Sequence, residues 1–378
     1  MVNLTENLDR TYWENLVEPY EQKSGVNVEI VGPDDGNVAA TYQKQLAAGT
    51  PPDVVQSIFP DENSAKHLVD FSDEKWAQDT PMFDTYAMHG KHYTVGVGEQ
   101  IQSLIFYNKT AFKEAGLTKP PTTWDEFGED LGKLNDAGYT PLQTAGDFQT
   151  GLQLQQMYHP DLNELHPNWQ TLVSDSQDGA GELYKPMFQH YADWLDSKYI
   201  SKDDVDVTPA DADQDFIDGK AGFYCNGSWY AATIESAGRM PFEVGVFSPP
   251  VSKGNYPGPQ GATMANSYMV HKESRNVEAA KGLVQFLTTD KTVIIVQLKA
   301  DGSFRQDAIM GQSDIGTQVQ NVLDDAPKLV AVGEGFGDTK LPVTGFNPKF
   351  TEIAQSLYKG TSPSEAATNL DRWVDQNR

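Results

Sequence analysis

The chain has 378 residues, of which 28 are Lys or Arg and 54 are Asp or Glu, so its formal net charge is −26. This length allows two domains with separate cores, and no apolar run approaches the ~18 residues needed to span a bilayer. Proteins that bind a nucleic-acid duplex need clustered Lys and Arg, whereas dispersed acidic residues predominate here. We therefore predict no nucleic-acid partner and interpret the acidity as a well-solvated surface.

The N-terminal part of the chain alternates between helical and extended patterns. Residues 11–25 place apolar side chains at helical spacing and end in a glycine that suits a helix C-terminus. Residues 26–31 alternate apolar and polar side chains, which predicts a half-buried strand. A second helix is expected over residues 38–49, and the apolar run at 51–59 is typical of a buried parallel strand. This alternation predicts an α/β fold with parallel neighbouring strands.

Similar signals continue along the chain. Thr123 and Glu126 have the spacing of a capping box at a helix N-terminus. Ser362 and Pro363 are a comparable signal for the start of the final helix. The other elements predicted in this part of the chain are a strand over residues 219–228 and helices over 229–238 and 276–287.

Residues with catalytic or metal-binding chemistry form no recognised constellation. Cys225 is the single cysteine, which excludes an intramolecular disulfide, and the seven histidines lack the spacing of a metal pair. A nucleophile elbow, a phosphate-binding loop and a dinucleotide fingerprint are absent. We therefore predict neither a cofactor nor a bound metal. The 7 Trp, 16 Tyr and 17 Phe residues would suit sugar binding, because pyranose rings pack their C–H faces on aromatic rings.

Four segments, in order along the chain, resemble one protein family. They are 46–57 (LAAGTPPDVVQS), 93–134 (which contains IFYNKTAFKEAGL and PPTTWDEF), 216–234 (FIDGKAGFYCNGSWYAATI) and 264–291 (MANSYMVHKESRNVEAAKGLVQFLTTDK). In these segments the chain resembles the extracellular solute-binding proteins of bacterial carbohydrate ABC importers. This is the family 1 group that includes maltose-binding protein.

The resemblance implies a two-lobed α/β fold of the periplasmic-binding-protein type, with discontinuous lobes, a hinge and a cleft between the lobes. One lobe would comprise residues 1–108 and 266–310, and the other residues 109–265 and 311–378. Closure on a ligand would be a hinge motion. The family begins with a strand before the first helix, and that strand is not evident in this sequence. Either it is absent or the first few residues do its work.

The same resemblance implies a binding protein and not an enzyme. It would capture an oligosaccharide outside the cell and deliver it to the membrane permease subunits of an ABC importer, acting as a monomer. The first ten residues lack the basic and apolar regions of a signal peptide. We therefore expect a mature sequence that is lipid-anchored at its N-terminus in the native protein, or periplasmic. A cytoplasmic protein is the alternative that this N-terminus leaves open.

Candidate ligand-binding residues come partly from the resemblance and partly from their position. Trp229, after a Gly-Ser turn, matches the tryptophan that stacks on sugar in the family. Asp147 and Phe148 match the region in which the family places an acidic and an aromatic residue. Gln56 and Phe59 follow a buried strand, and the ends of strands border the ligand crevice of open α/β sheets.

Further candidates lie beside the predicted crossing segments and in Gly-rich loops. Glu99 and Gln100 precede a hinge-like strand, and Asn266 begins the opposite crossing segment, so their carboxyl and amide groups would bind sugar hydroxyls. Phe336 and Phe346 lie in the loops before the last helices, where an aromatic ring would pack against the ligand.

Two alternative functions stay open at this point. A binding protein of the same fold for a polyamine would use the acidic residues together with an aromatic cage. A glycoside hydrolase would be similarly rich in acidic and aromatic residues, but it needs two carboxyl groups on either side of one bond, roughly 5–10 Å apart. The sequence alone does not identify the sugar, its linkage or its length.

Overall fold

The computed structural model describes residues 1–5, 8–33, 37–167, 169–170, 179–305, 313–332 and 345–377. The described residues form two compact units, each assembled from separate stretches of the chain. Unit 1 lies within Met1–Gln100 and Thr263–Gly311, and unit 2 lies within Ile101–Ala262, Gln312–Glu334 and Lys340–Arg378.

The described residues form both helices and strands. The helices are α1 (Arg10–Ser24), α2 (Val38–Ala47), α3 (Lys75–Gln78), α4 (Lys109–Glu114), α5 (Trp124–Asp136), α6 (Asp147–Leu165), α7 (Ala180–Asp196), α8 (Pro209–Ile217), α9 (Tyr230–Ala237), α10 (Val277–Thr289), α11 (Lys291–Ala300), α12 (Asp314–Asp325), α13 (Phe346–Tyr358) and α14 (Pro363–Asn377). The strands are β1 (Val54–Gln56), β2 (Gly98–Ile101), β3 (Leu104–Asn108), β4 (Thr140–Gln143), β5 (Ala221–Asn226), β6 (Val244–Phe247), β7 (Gln260–Ala265), β8 (Tyr268–Val270) and β9 (Leu329–Ala331). Among the helices described, none combines the length and the apolar composition required to cross a bilayer.

Helix α1 begins and ends where its local chemistry predicts. The Asp9 carboxylate accepts a hydrogen bond from the Tyr12 N–H (2.7 Å), and Gly25 follows the helix with φ 71°. The buried face of α1 joins the core of unit 1 together with residues of α10, α11 and β8. Tyr20, on this face, donates a hydrogen bond from its hydroxyl to the Ala279 carbonyl (2.9 Å).

Strand β1 pairs antiparallel with β8, with Val54 opposite Val270 and Gln56 opposite Tyr268. The expectation of a parallel neighbour for β1 was therefore wrong. An uninterrupted apolar run indicates that both faces of a strand are buried, but it does not determine the direction of the partner strand.

The strand predicted over residues 26–31 is also corrected. Val26 and Val28 are half-buried and Ile30 is buried, so the predicted alternation is present, but the segment is not assigned as a strand. Its hydrogen bonds go elsewhere: the Val28 N–H donates to the Glu21 carboxylate (2.6 Å), and the Val31 carbonyl accepts from the Val2 N–H (2.9 Å). Periodicity predicted the burial correctly but not the pairing.

Unit 2 contains a four-stranded sheet in the order β4-β5-β3-β6. Strand β3 pairs antiparallel with both β5 and β6, and β4 pairs parallel with β5. This pairing explains why residues 104–108, predicted to belong with the N-terminal lobe, lie in unit 2. Cys225, on β5, is a buried free cysteine, and burial raises the pKa of its thiol.

The core of unit 2 is rich in aromatic side chains. It packs the sheet against α5, α6, α7, α13 and α14, and it includes Trp124, Phe127, Tyr184 and Phe350. At the start of α5, the Thr123 hydroxyl accepts from the Glu126 N–H (3.2 Å), as predicted. The Glu126 carboxylate, however, accepts from the Thr122 N–H (2.8 Å) and so reaches one residue beyond the capping box.

Two of the boundaries between the units fall inside strands of a third sheet. This sheet has the order β2-β7-β9, and β7 pairs parallel with β9. The chain passes from unit 1 to unit 2 between Gln100 and Ile101 in β2, and it returns between Ala262 and Thr263 in β7. The crossing segments are therefore strands rather than flexible linkers.

We expect Gly181→Ala to destabilise unit 2 by ~1–3 kcal/mol. Alanine has a higher helix propensity than glycine, but overpacking at this position costs more than that propensity gains. A Cβ on Gly181, in α7, would lie 2.1 Å from the Ala367 carbonyl oxygen of α14. The matched control is Gly128→Ala in α5, where a Cβ would meet nothing within 4 Å. Urea denaturation should show a lower free energy of unfolding for Gly181→Ala, and one that is higher by up to ~1 kcal/mol for Gly128→Ala. Equal effects would contradict the close packing of α7 and α14.

Candidate functional site

The turn that carries Trp229 is held in place by hydrogen bonds on both sides. Strand β5 ends at Asn226, whose side-chain oxygen accepts from the Gly227 N–H (2.9 Å). The Ser228 N–H donates to the Ile101 carbonyl (2.8 Å), and the Ser228 hydroxyl accepts from the Ile101 N–H (3.1 Å). The backbone of this turn is therefore attached to the end of β2 within unit 2.

The indole of Trp229 lies against the backbone of this turn. A Cβ on Gly227 would lie 2.0 Å from the indole Cζ3 atom, so the close approach requires glycine. Trp229 is half-buried, whereas the next residue, Tyr230, is fully buried and packs its ring against Phe106 at 5.1 Å. Within the described residues the indole contacts no other aromatic ring. Tyr230 thus supplies the core packing at this turn, and Trp229 keeps a partly exposed ring.

Asp147 and Phe148 begin helix α6 in unit 2. Asp147 is exposed and has φ 53°, a left-handed conformation that costs ~1–3 kcal/mol in a non-glycine residue and is common at functional sites. Its carbonyl accepts from the Gln355 amide (3.1 Å). Asp147 also lines a cavity of about 430 Å³ with Leu152, Gln155, Asn347, Pro348 and Thr351. The backbone of Phe148 continues α6; the position of its side chain is not described.

The two phenylalanines predicted in the Gly-rich loops have different outcomes. Phe346 begins α13 and is 1% exposed, with its ring packed against Phe350 at 5.6 Å and Trp373 at 6.4 Å. We therefore correct its role to that of a core residue, since its ring is enclosed by other aromatic rings. Phe336 lies outside the described residues.

In unit 1, Gln56 and Asn266 lie together in a buried network. The Gln56 amide nitrogen donates to the Asn266 side-chain oxygen (2.9 Å), and the Gln56 side-chain oxygen accepts from the Asn3 N–H (2.9 Å). Gln56 is 0% exposed. Because both ends of its amide are hydrogen-bonded inside the protein, we correct its predicted role from ligand contact to support of Asn266.

Asp301 completes this network and was not predicted from the sequence. Its carboxylate accepts from the Ser303 hydroxyl (2.8 Å) and the Asn266 amide (3.3 Å), and its main-chain oxygen accepts from the Gln100 amide (3.3 Å). Burial raises the pKa of this carboxyl to about 7. Asp301 follows α11 outside any motif, so only the structure connects it with Gln100 and Asn266.

The backbone beside this network is in an unusual conformation. Ser57 (φ 65°) and Asn266 (φ 46°) are both left-handed non-glycine residues, at the end of the β1–β8 pair. The Ser57 N–H donates to the Ser267 carbonyl (3.0 Å), and the Ser267 hydroxyl donates to the Ile58 carbonyl (3.1 Å). Strained residues persist only where the surrounding structure determines them, and they are concentrated at functional sites.

Phe59 and Glu99 form a second group of candidates in unit 1. The half-buried Phe59 stacks on the buried Tyr86, with ring centroids 4.4 Å apart at 23°. The Tyr86 hydroxyl accepts from the Met264 N–H (3.0 Å), and burial, with a smaller contribution from the Glu99 carboxylate, raises its pKa. Burial also raises the pKa of Glu99 itself. The group therefore combines an aromatic surface with a carboxyl group for which the charged form is unfavourable.

Among the described residues of both units, no group of three or more His, Cys, Asp and Glu side chains could hold a metal ion. The candidate residues supply aromatic faces, carboxyl groups and amides, and these groups suit hydrogen-bonding to a polar organic solute.

The Asp301 network has a defined pH dependence. The folded carboxyl holds its proton up to about pH 7, against 3.8 for the ordinary group. The folded state therefore binds more protons than the unfolded state between these values, and its stability falls as pH rises through this window. In Asp301→Asn the side chain cannot ionise, so the stability of the variant should not fall in this way. At pH 8 its free energy of unfolding should exceed that of wild type by up to ~4 kcal/mol.

Urea denaturation of both proteins at pH 4, 6 and 8 measures this difference. Asp136→Asn, at an exposed position at the end of α5, is the matched control for removal of one negative charge. If the free energies of unfolding of Asp301→Asn and wild type differed by the same amount at all three pH values, the result would contradict an enclosed, protonated carboxyl.

Comparison with known proteins supports one family. The family model described as "Bacterial extracellular solute-binding protein" matches residues 5–294. The multiple sugar-binding protein of Streptococcus mutans is 24% identical over 319 residues, which are 77% of this chain and 71% of that protein. The sn-glycerol-3-phosphate-binding periplasmic protein UgpB of Yersinia pestis is 26% identical over 198 residues, 49% of this chain and 42% of that protein.

Solved structures agree on the fold. A structure described as a chitin oligosaccharide binding protein superposes with a TM-score of 0.82 at 19% identity and covers 100% of this chain and 97% of its own. This likeness confirms the predicted α/β fold of the two-lobed periplasmic-binding-protein type. Because the family match extends over most of the sequence, the chain belongs to the bacterial extracellular solute-binding proteins.

Proposed function

We propose that this protein captures an oligosaccharide outside the cell and delivers it to the permease subunits of an ABC importer. The observation that carries the proposal is Trp229, whose partly exposed indole is held against the Gly227 backbone of a hydrogen-bonded turn. A rigid aromatic face of this kind suits the apolar C–H face of a pyranose ring. Phe59, stacked on Tyr86 in unit 1, offers a second aromatic surface.

Hydrogen bonds to sugar hydroxyls would come from the polar candidates of the two units. The exposed carboxylate of Asp147 accepts from two hydroxyls, whereas Glu99 in its protonated form also donates. Asn266 is buried and uses both ends of its amide on Gln56 and Asp301, so, like Gln56, it supports the site. Glu99 is half-buried, and a buried polar group left without a partner costs ~1–3 kcal/mol, so sugars that leave Glu99 unpaired would be rejected. Delivery to a permease, a monomeric state and a lipid anchor in the native protein are part of the same proposal.

The names of the relatives support a sugar more than a charged solute. The Streptococcus mutans relative is named for multiple sugars and a structural neighbour for chitin oligosaccharide. UgpB is named for a phosphate ester, whereas the exposed carboxylate of Asp147 would repel a phosphate. A polyamine would need ionised carboxylates, and burial of Glu99 disfavours its charged form. A neutral, hydroxyl-rich ligand fits these groups better than either ion.

Titration calorimetry with a panel of α- and β-linked oligosaccharides tests this proposal. We expect at least one member to bind with micromolar or tighter affinity, and spermidine and sn-glycerol 3-phosphate not to bind. Overnight incubation with the bound oligosaccharide should release no cleavage products, since the relatives are binding proteins. Binding of spermidine or the phosphate ester without any sugar would overturn the carbohydrate assignment.

Trp229→Ala should lower affinity for the bound sugar about 30- to 1000-fold, since a stacked, desolvated aromatic ring contributes ~2–4 kcal/mol. The ligand-free melting temperature should change little, because Tyr230 rather than Trp229 packs in the core. The matched control is Trp373→Ala, a half-buried tryptophan of α14 in the same unit, which should leave affinity unchanged. Retained binding with a large fall in melting temperature would instead assign Trp229 to the core, where its loss would cost ~3–5 kcal/mol.

A further inference from the structure

Unit 1 carries a cavity of about 550 Å³ at which three lysines converge. Lys66 lies in the short 3-10 helix Ser64–His67, Lys91 lies in the loop that precedes β2, and Lys272 lies just after β8. Among the described residues that line the cavity, Asp70 is the one carboxylate. In a chain with 54 acidic and 28 basic residues, this local excess of positive charge is the reverse of the overall balance.

The segments that carry the three lysines are joined through their backbones. The Lys272 N–H donates to the carbonyl of His67 (2.8 Å), which is the neighbour of the first lysine. The Phe71 N–H donates to the carbonyl of His92 (2.7 Å), which is the neighbour of the second. Hydrogen bonds between main-chain groups therefore hold the backbone beside all three lysines.

Asp70 compensates only part of this charge. Its Oδ1 atom accepts hydrogen bonds from the Ser72 N–H (3.0 Å) and the His92 N–H (3.2 Å). Its Oδ2 atom lies 3.8 Å from the Lys91 ammonium. Ion pairs between partly exposed groups are weak even at closer range. Most of the positive charge at the cavity therefore stays available to a ligand.

The other two lysines form no ion pair with the described residues. Glu273 follows Lys272 in the chain, but its carboxylate lies 3.0 Å from the His271 Nε2 atom. The Lys272 ammonium donates to the Lys66 carbonyl, which orients the side chain without neutralising it. Both lysines are exposed, so an anion in solution has access to them.

We propose that this cavity binds a compact polyanion of the linear oligophosphate type. Lysine binds phosphate groups as a point charge with three hydrogen-bond donors. Tyr93 lines the same cavity and carries a hydroxyl that also donates. Three lysines and one aspartate give the lining residues a formal charge of +2, which suits a ligand with several closely spaced negative charges.

The net charge of −26 on the whole chain does not oppose this binding at physiological salt. The Debye length is about 8 Å at 0.15 M ionic strength, so distant carboxylates are largely screened, whereas the lysines act at contact. A single phosphate ester has fewer charges to place near the three ammonium groups. It should bind at least about tenfold more weakly than an oligophosphate, which agrees with the expected failure of sn-glycerol 3-phosphate to bind. The proposal does not depend on the identity of the sugar.

Titration calorimetry with tripolyphosphate at about 0.15 M NaCl is the first test. We expect saturable binding of one tripolyphosphate per chain with a submillimolar dissociation constant, at least about tenfold tighter than that of orthophosphate. Absence of saturable binding would overturn the proposal, and so would equal affinity for the two anions.

Exposed lysines can be exchanged with little risk to folding, so variants locate the anion. Lys272→Gln and Lys66→Gln each remove one charge from the cavity and should weaken tripolyphosphate binding about tenfold. The matched control is Lys299→Gln, because Lys299 is an exposed lysine of unit 1 on α11 and does not line the cavity. Its affinity should equal that of wild type. Equal losses in all three variants would indicate a general effect of net charge and would overturn the site.

A reciprocal measurement separates this site from the proposed sugar site. Trp229→Ala should keep wild-type affinity for tripolyphosphate, and Lys272→Gln should keep wild-type affinity for the oligosaccharide. Loss of tripolyphosphate binding in Trp229→Ala would place the anion at the candidate sugar site and overturn the proposal. Failure of every oligosaccharide to bind, with tripolyphosphate binding intact, would instead contradict only the sugar function.

Discussion

The candidate groups of unit 1 depend most on the hydrogen bonds that Asp301 accepts. It accepts hydrogen bonds from Ser303 and Asn266, and the Asp301 carbonyl accepts one from Gln100. Asn266 in turn accepts from Gln56. A single loop after α11 therefore connects the ends of β1, β2 and β7. Buried polar networks stabilise a structure only when every member has a partner, so the loss of one member would affect all three strand ends.

Local chemistry made part of the fold predictable from the sequence. Helix termini were predicted where their signals act over three or four residues: Gly25 ends α1, and Thr123 caps α5. The direction of β1 was not predictable, because its partner β8 is more than 200 residues away in the sequence and an apolar run carries no information on direction. The segment 26–31 shows the same limit, since its alternation indicated burial without identifying a partner.

The candidate site residues were also predicted only in part. Trp229 and Phe59 were nominated from a motif and a strand end, and the structure places both with partly exposed rings. Gln56 and Phe346 were nominated for comparable reasons, yet they are buried. Residue type cannot separate these outcomes, because exposure depends on packing between distant segments. Asp301 was missed for the same reason: its partners Gln100 and Asn266 are brought to it only by the fold.

The most direct test of sugar binding by these residues is hydrogen–deuterium exchange with and without a saturating oligosaccharide. The account predicts that one ligand slows exchange in two places, at the backbone around Ser57 to Phe59 in unit 1 and at the turn from Gly227 to Tyr230 in unit 2. Protection that spares both segments while the ligand is bound would contradict the assignment of Phe59 and Trp229 to the binding site.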